Sequence, residues 1–171
     1  GMSANSDGFT VVDNSVNKVN ETIVSWTFRK APGFFDIVTY TGDGTTNRSI
    51  PHNLGSVPGF VVIKKPSEVS NWSAIARTAA DTYKGGGTSY AFGFNTTEWT
   101  TGSTYTAANS VGTSTNLLVG AAVSGGAGST NQDTKTYIAY IFAHDAQVFG
   151  EAGDESIIKC GSYTGNSSSS G

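Results

Sequence analysis

The sequence predicts an all-β chain, a two-layer antiparallel β-sandwich of jelly-roll or Greek-key type with negligible helix. Three observations carry that expectation. Only 13% of the 171 residues are charged, while 22 are glycine and four are proline, and Thr, Ser, Asn and Tyr take the places that Lys, Glu, Leu and Ala fill in helical proteins. Apolar residues come in short alternating clusters, clearest in KTYIAYIFA and GFVVIKK, which is the period of a strand with one wetted face. Each cluster is bounded by Gly, Asn, Asp or Ser, the residues that tolerate turn conformations.

Taken in order, the candidate strands are Gly8–Val12, Glu21–Phe28, Phe34–Thr41, Ser49–Leu54, Gly59–Lys65, Trp72–Arg77, Tyr90–Phe94, Asn116–Val123, Lys135–Ala143 and Ser156–Thr164. IPHNLGSVPGFVVIKK reads as a hairpin in which Asn53, Gly55 and Pro58 turn the chain and Phe60 and Val62 enter the core. AIARTAADTYK is the only stretch with helical leanings, and it has too few spaced apolar positions to cover a core. The intervening loops TGDGTTN, KGGGTS, SGGAGSTNQD and GEAGDE carry strong turn chemistry, and KGGGTS and SGGAGSTNQD read as flexible hairpin ends rather than as lips of a binding surface.

A second pattern is internal repetition. TIVSWTFRK at Thr22–Lys30 matches TYIAYIFAH at Thr136–His144, and FFDIVTYTGDG at Phe34–Gly44 matches IIKCGSYTGNS at Ile157–Ser167. The steps are 114 and 123 residues, the size of a small domain. The expected organisation is the last strands of one unit, a whole second unit and the opening strand of a third, so that matched segments share strand character and facing. The expected boundaries are a tag remnant and flexible start over 1–7, a single β-sandwich domain over 8–166, with strands 21–28 and 34–41 repeated at 136–142 and 157–164, and a disordered Ser-rich tail over 167–171.

Composition also excludes function classes. A net charge of −3 lacks the clustered Lys and Arg that phosphate contacts require, so nucleic acid is not an expected partner. A single cysteine, Cys160, excludes an intrachain disulfide framework. No apolar run is long enough to span a bilayer, and no membrane partner is expected.

Candidate chemical groups are few. His52 and His144 are the only histidines, and Cys160 cannot complete a zinc site with them at any standard spacing. His52 is expected to hydrogen-bond a neighbouring carbonyl at a strand end. His144 and Asp145 suggest a dyad, but no serine lies in a nucleophile elbow, and Cys160 sits in a strand pattern as a small core hydrophobe. Asp145, Glu151 and Asp154 offer oxygen ligands for calcium in HDAQVFGEAGDES without the EF-hand spacing, so the loop reads as a solvated turn and no metal or cofactor is assigned. Trp99, Tyr105 and Tyr83 fall in the middle third, which has no counterpart at the ends; with Trp99 on a loop, they are the residues nominated to stack on a glycan. No catalytic residue is assigned, and the expectation is a non-enzymatic protein.

The succession WTFRKAPGFFDIVTYTGDGTTNRSIPHNLGSVPGFVVIKK, NWSAIAR, TYIAYIFAHD and IIKCGSYTGN resembles a repeated β domain of virion structural and tail-fibre-like proteins of tailed, marine-type bacteriophages. The resemblance covers Gly8 to Asn166. It implies a structural module in a fibre or particle decoration, made in the bacterial cytoplasm and carried on the virion. Its implied partners are other virion subunits or adjacent repeats of the same chain. A carbohydrate-binding adhesin module touching a host surface glycan is the alternative. No catalytic residue or cofactor comes with the resemblance.

Overall fold

The computed structural model describes residues 2–6, 8–11, 18–20, 22–46, 48–70, 72–76, 90–93, 99–101, 112–120, 130–161 and 166–167. Among them there is no helix, and all regular structure is antiparallel β. The ten strands are β1 (Met2–Asn5), β2 (Gly8–Val11), β3 (Phe35–Thr41), β4 (Arg48–Pro51), β5 (Pro58–Lys64), β6 (Ser73–Ala76), β7 (Tyr90–Gly93), β8 (Trp99–Thr101), β9 (Asn116–Val119) and β10 (Thr136–Ala143).

One layer is a six-stranded sheet in the order β3-β10-β5-β6-β7-β8, and β4 with β9 forms a two-stranded sheet beside it. β5 to β8 follow one another as a meander. β10 returns from late in the chain to lie between β3 and β5, with seven residue pairs to β3 and six to β5. Its burial alternates strictly, with Tyr137, Ala139, Ile141 and Ala143 buried. These four meet Tyr40, Val61, Ile63 and Ile75 of the large sheet and Ile50, Leu117 and Val119 of the small one, with Leu54 between. The two sheets thus close on one core, the arrangement expected of a sandwich.

Polar groups fix the open end of that core. Tyr40 and Tyr137 stack at 5.1 Å between ring centroids; the Tyr40 hydroxyl donates to the Thr130 carbonyl at 2.6 Å, and the Gln132 N–H donates to the Tyr137 hydroxyl at 3.0 Å. Asn131 is fully buried. Its side-chain amide donates to Asp43 Oδ1 at 2.7 Å and to the Thr45 carbonyl at 2.8 Å, while its Oδ1 accepts from the Asp43 N–H and Arg48. The TGDGTTN turn is therefore tied to the chain that leads into β10.

Several expectations change. Thr22–Lys30 is not a strand, and Ile157–Gly161 is not one either, whereas their matches in β10 and β3 are. Trp26 is 79% exposed while Tyr140 lies half-buried in β10, so the matched segments do not share environments within this chain. The physical reason is visible in the match: the buried positions Ala139, Ile141 and Ala143 correspond to Ser25, Thr27 and Arg29, which would be costly to bury in the same way. At the start of the chain Met2–Asn5 pairs antiparallel with Gly8–Val11.

IPHNLGSVPGFVVIKK is not a hairpin either, because β4 pairs with β9 and β5 with β10 and β6, so this segment crosses between layers. Val61 and Ile63, not Phe60 and Val62, enter the central core. Both faces of β5 are apolar, so alternation could not choose between them.

Gly42 marks the closest backbone approach in the Asn131 knot. A β-carbon there would overlap the Gln132 carbonyl oxygen, whereas one on Gly8 would meet nothing. Gly42→Ala should therefore destabilise the fold by about 2 kcal/mol or more, with Gly8→Ala near neutral. Urea unfolding of the two variants measures the difference.

Candidate interaction surface

The face of the large sheet opposite the core is also apolar. Phe35 and Ile37 of β3, Tyr140 and Phe142 of β10 and Phe60 of β5 share it, as the ladder register requires. Phe28, Phe34, Phe35 and Phe142 form an aromatic cluster, with ring centroids 5.4 Å apart for Phe28 and Phe142 and 4.8 Å for Phe35 and Phe142. Edge and tilted contacts of this kind are favoured over face-to-face stacking. Phe28 thus holds the Thr22–Lys30 segment to the sheet.

Lys30 holds the same end of the segment, two residues further on. Its ammonium lies 2.9 Å from Asp36 Oδ1 and donates to the Ile37 carbonyl at 2.6 Å. Asp36 is itself buried; its Oδ2 accepts the Asn53 N–H at 2.7 Å and its Oδ1 the Ile37 N–H at 2.8 Å. Burial alone would raise the Asp36 carboxyl, but the Asn53 N–H, the Lys30 ammonium and the Ile37 N–H together hold it below the ordinary 3.8. One carboxylate therefore ties the Lys30 segment, β3 and the turn after β4 together.

Ahead of these two anchors the segment is open. Val24 and Trp26 are 75% and 79% exposed, and Ile23 is also exposed. With the β1–β2 hairpin and the outer sheet face they enclose a groove of about 750 Å³, lined by Phe9, Val11, Ile23, Trp26, Ile37 and Tyr140 among others. Exposed apolar side chains that follow one another along a chain mark an interaction surface more often than scattered single residues do.

A family model matches residues 2–171 of the chain, under the description "Domain of unknown function (DUF7483)". The chain belongs to the DUF7483 family. No curated protein and no solved structure matches it. The match includes the β1–β2 hairpin and the exposed Thr22–Lys30 segment, so the groove lies within the DUF7483 domain.

The remaining candidate residues of the DUF7483 domain are placed as follows. His52 is buried, with its backbone N–H donating to the Thr115 carbonyl at 2.9 Å and its ring Nδ1 accepting the Leu54 N–H at 3.1 Å. The ring thus accepts from the turn through Nδ1. His144 and Asp145 do not form a dyad: His144 Nδ1 accepts the Cys160 N–H at 2.9 Å, and Asp145 pairs with Lys159 at 3.0 Å. Cys160 is half-buried against Ala143 and outside any strand. Glu151 and Asp154 are exposed, and among the described residues no three His, Cys, Asp or Glu gather to hold a metal.

Trp99 lies in β8, paired with Phe92 of β7, and not in a loop. Its polar TTE and TTGS sequence neighbours concealed this three-residue strand in the sequence. Tyr83 and Tyr105 lie outside the described residues. The groove residues Ile23, Val24 and Trp26 were not nominated from the sequence. The signal was present in the polar Ser25, Thr27 and Arg29 at positions where β10 is buried.

These groups set the acid response. Burial, above all, pushes the His52 imidazole below its ordinary 6.5, so the fold favours the neutral ring. That contribution is complete above pH 6.5 and is lost as pH falls below it, because the unfolded chain takes up the proton first. Hydrogen bonds from Thr45 and Asn131 hold Asp43 at about 2, and Lys135 and Lys65 hold Glu68 at about 2. Their contributions are present above the ordinary carboxylate range and are lost as pH falls from about 4 toward about 2, and that of Asp36 is lost in the same direction as pH falls below its ordinary 3.8. Urea unfolding from pH 8 to 2 should show two successive losses. His52→Asn, which keeps an acceptor for Leu54, should flatten the first and leave the second; Asp36→Ala should cost about 1 to 3 kcal/mol at pH 7 by leaving the Asn53 N–H without its acceptor.

Proposed function

We propose that this domain is a non-enzymatic structural module of a bacteriophage particle, a rigid β unit of a tail fibre or decoration protein. The observation that carries the reading is the employment of its ionisable groups. Asp36, Asp43, Glu68 and Asp145 each hold two or more parts of the chain together through a lysine, an arginine, an asparagine or a backbone N–H. All four carboxyls are held below their ordinary values, the opposite of the raised value a general acid needs near neutral pH. His52 and His144 are occupied in the same way by Leu54 and Cys160 N–H groups.

Chemistry spent on cross-linking suits a module whose task is to keep its shape. The exposed apolar strip from Ile23 to Phe28 supplies the other requirement, a surface for other subunits or adjacent repeats. The module is made in the bacterial cytoplasm and resides on the virion.

Mass spectrometry of density-banded particles from the producing strain tests this directly. The protein should be present at a fixed stoichiometry to the major structural proteins; its absence from banded particles overturns the reading. A glycan array on the purified domain separates the adhesin alternative. Specific binding lost on Trp99→Ala would convert the module into a receptor-binding one, and reproducible polysaccharide turnover lost on changing one carboxylate would make it an enzyme.

A further inference from the structure

The two matched segments that are not strands in this fold correspond to two strands that pair with each other. Thr22–Lys30 matches β10 and Ile157–Gly161 matches the first part of β3, and β10 with β3 forms a seven-pair ladder. Among the described residues neither segment is a member of a sheet. Both expose apolar side chains, Val24 and Trp26 at one end of the chain and Ile157, 56% exposed, at the other.

We propose that Ser25–Phe28 of one copy pairs antiparallel with Ile158–Gly161 of a second copy, so that the β3–β10 ladder is repeated between molecules and joins them head to tail. The biological setting rests on the structural-module reading above; the contact itself rests on the ladder. Carrying the register across places Phe28 opposite Ile158, Thr27 opposite Lys159, Trp26 opposite Cys160 and Ser25 opposite Gly161. No like charges face each other, and the aromatic Trp26 meets a small apolar partner.

The backbone of the acceptor segment is oriented for this. Ile158 O accepts the Asp145 N–H, and the Cys160 N–H donates to His144, so these residues turn their polar groups toward their own domain. In an extended chain the N–H and C=O groups of Lys159 and Gly161 point to the opposite edge. There they meet Thr27 and Ser25 as hydrogen-bonded pairs, which leaves Trp26 and Cys160 as a non-hydrogen-bonded pair with Cα atoms about 4.5 Å apart. Because the two surfaces are different, each copy keeps one of each free after pairing, and the association is open-ended or closes into a ring.

The test combines sedimentation velocity with register-specific cross-linking. The wild-type chain should associate as its concentration rises, and Trp26→Asn, at an exposed position that leaves the fold intact, should weaken association at least about tenfold. Trp26→Cys with oxidised glutathione should give a reducible ladder of covalent multimers, in which peptide mapping finds position 26 joined to Cys160, as the short Cα separation allows. Thr27→Cys, on the other face, should not reach Cys160.

A wild-type chain that stays monomeric throughout, association unchanged by Trp26→Asn, or disulfides joining position 26 only to itself would each overturn the proposal. A small apolar ligand filling the groove without self-association would do the same. None of these results bears on whether the protein is present in banded particles, so the two readings fail separately.

Discussion

The pairing of β10 with both β3 and β5 is the constraint on which the rest of the fold depends. It brings a late strand between two early ones, so its seven- and six-pair ladders are the contacts that close the large sheet. The strictly alternating burial of Tyr137, Ala139, Ile141 and Ala143 shows why this strand and no other fills the place. Small residues at 139 and 143 let the β4–β9 layer approach, and the bulkier Tyr137 and Ile141 fill the space between layers. Long-range pairing of this kind makes folding slow relative to a hairpin meander, because the intervening loop must close before the ladder contributes.

The polar groups follow from that closure. Asn131, Gln132 and Thr130 immediately precede β10, and through them the Asp43 turn, Arg48 and Tyr40 are fixed to it. Asp36, on the neighbouring strand, fixes the turn after β4 and the Lys30 end of the exposed segment. Charge in this chain is scarce, and what there is serves as struts between segments distant in sequence. A domain built in this way has little chemistry left over, and its most distinctive outward feature is the apolar segment from Ile23 to Phe28.

The sequence made the fold class, most strands and the turn positions legible, because alternation and turn residues are local properties. It placed β10 within a residue of its observed ends, since TYIAYIFA has one face of uniformly buried size. It misplaced β5's facing because FVVI is apolar on both sides, and it made a hairpin of Ile50 to Lys64 because pairing partners are not a local property. The short β1 and β8 strands were missed for want of length. The candidate surface was legible only as a repeat. Similarity between Thr22–Lys30 and β10 was plain, but whether a matching strand is buried depends on Ser25, Thr27 and Arg29, three positions that class-by-class matching passes over.

Amide hydrogen exchange followed by mass spectrometry tests the central claim most directly, that β10 closes the domain while its sequence match stands open to another copy. In dilute solution the amides of Tyr137 to Phe142 should exchange only through global unfolding, and those of Val24 to Phe28 at nearly the rate of unstructured chain. On raising the protein concentration, protection should appear in Ser25–Phe28 and Ile158–Gly161 together. Exchange of β10 ahead of the β5–β6 pair, or strong protection of Val24 to Phe28 in the dilute monomer, would contradict the account.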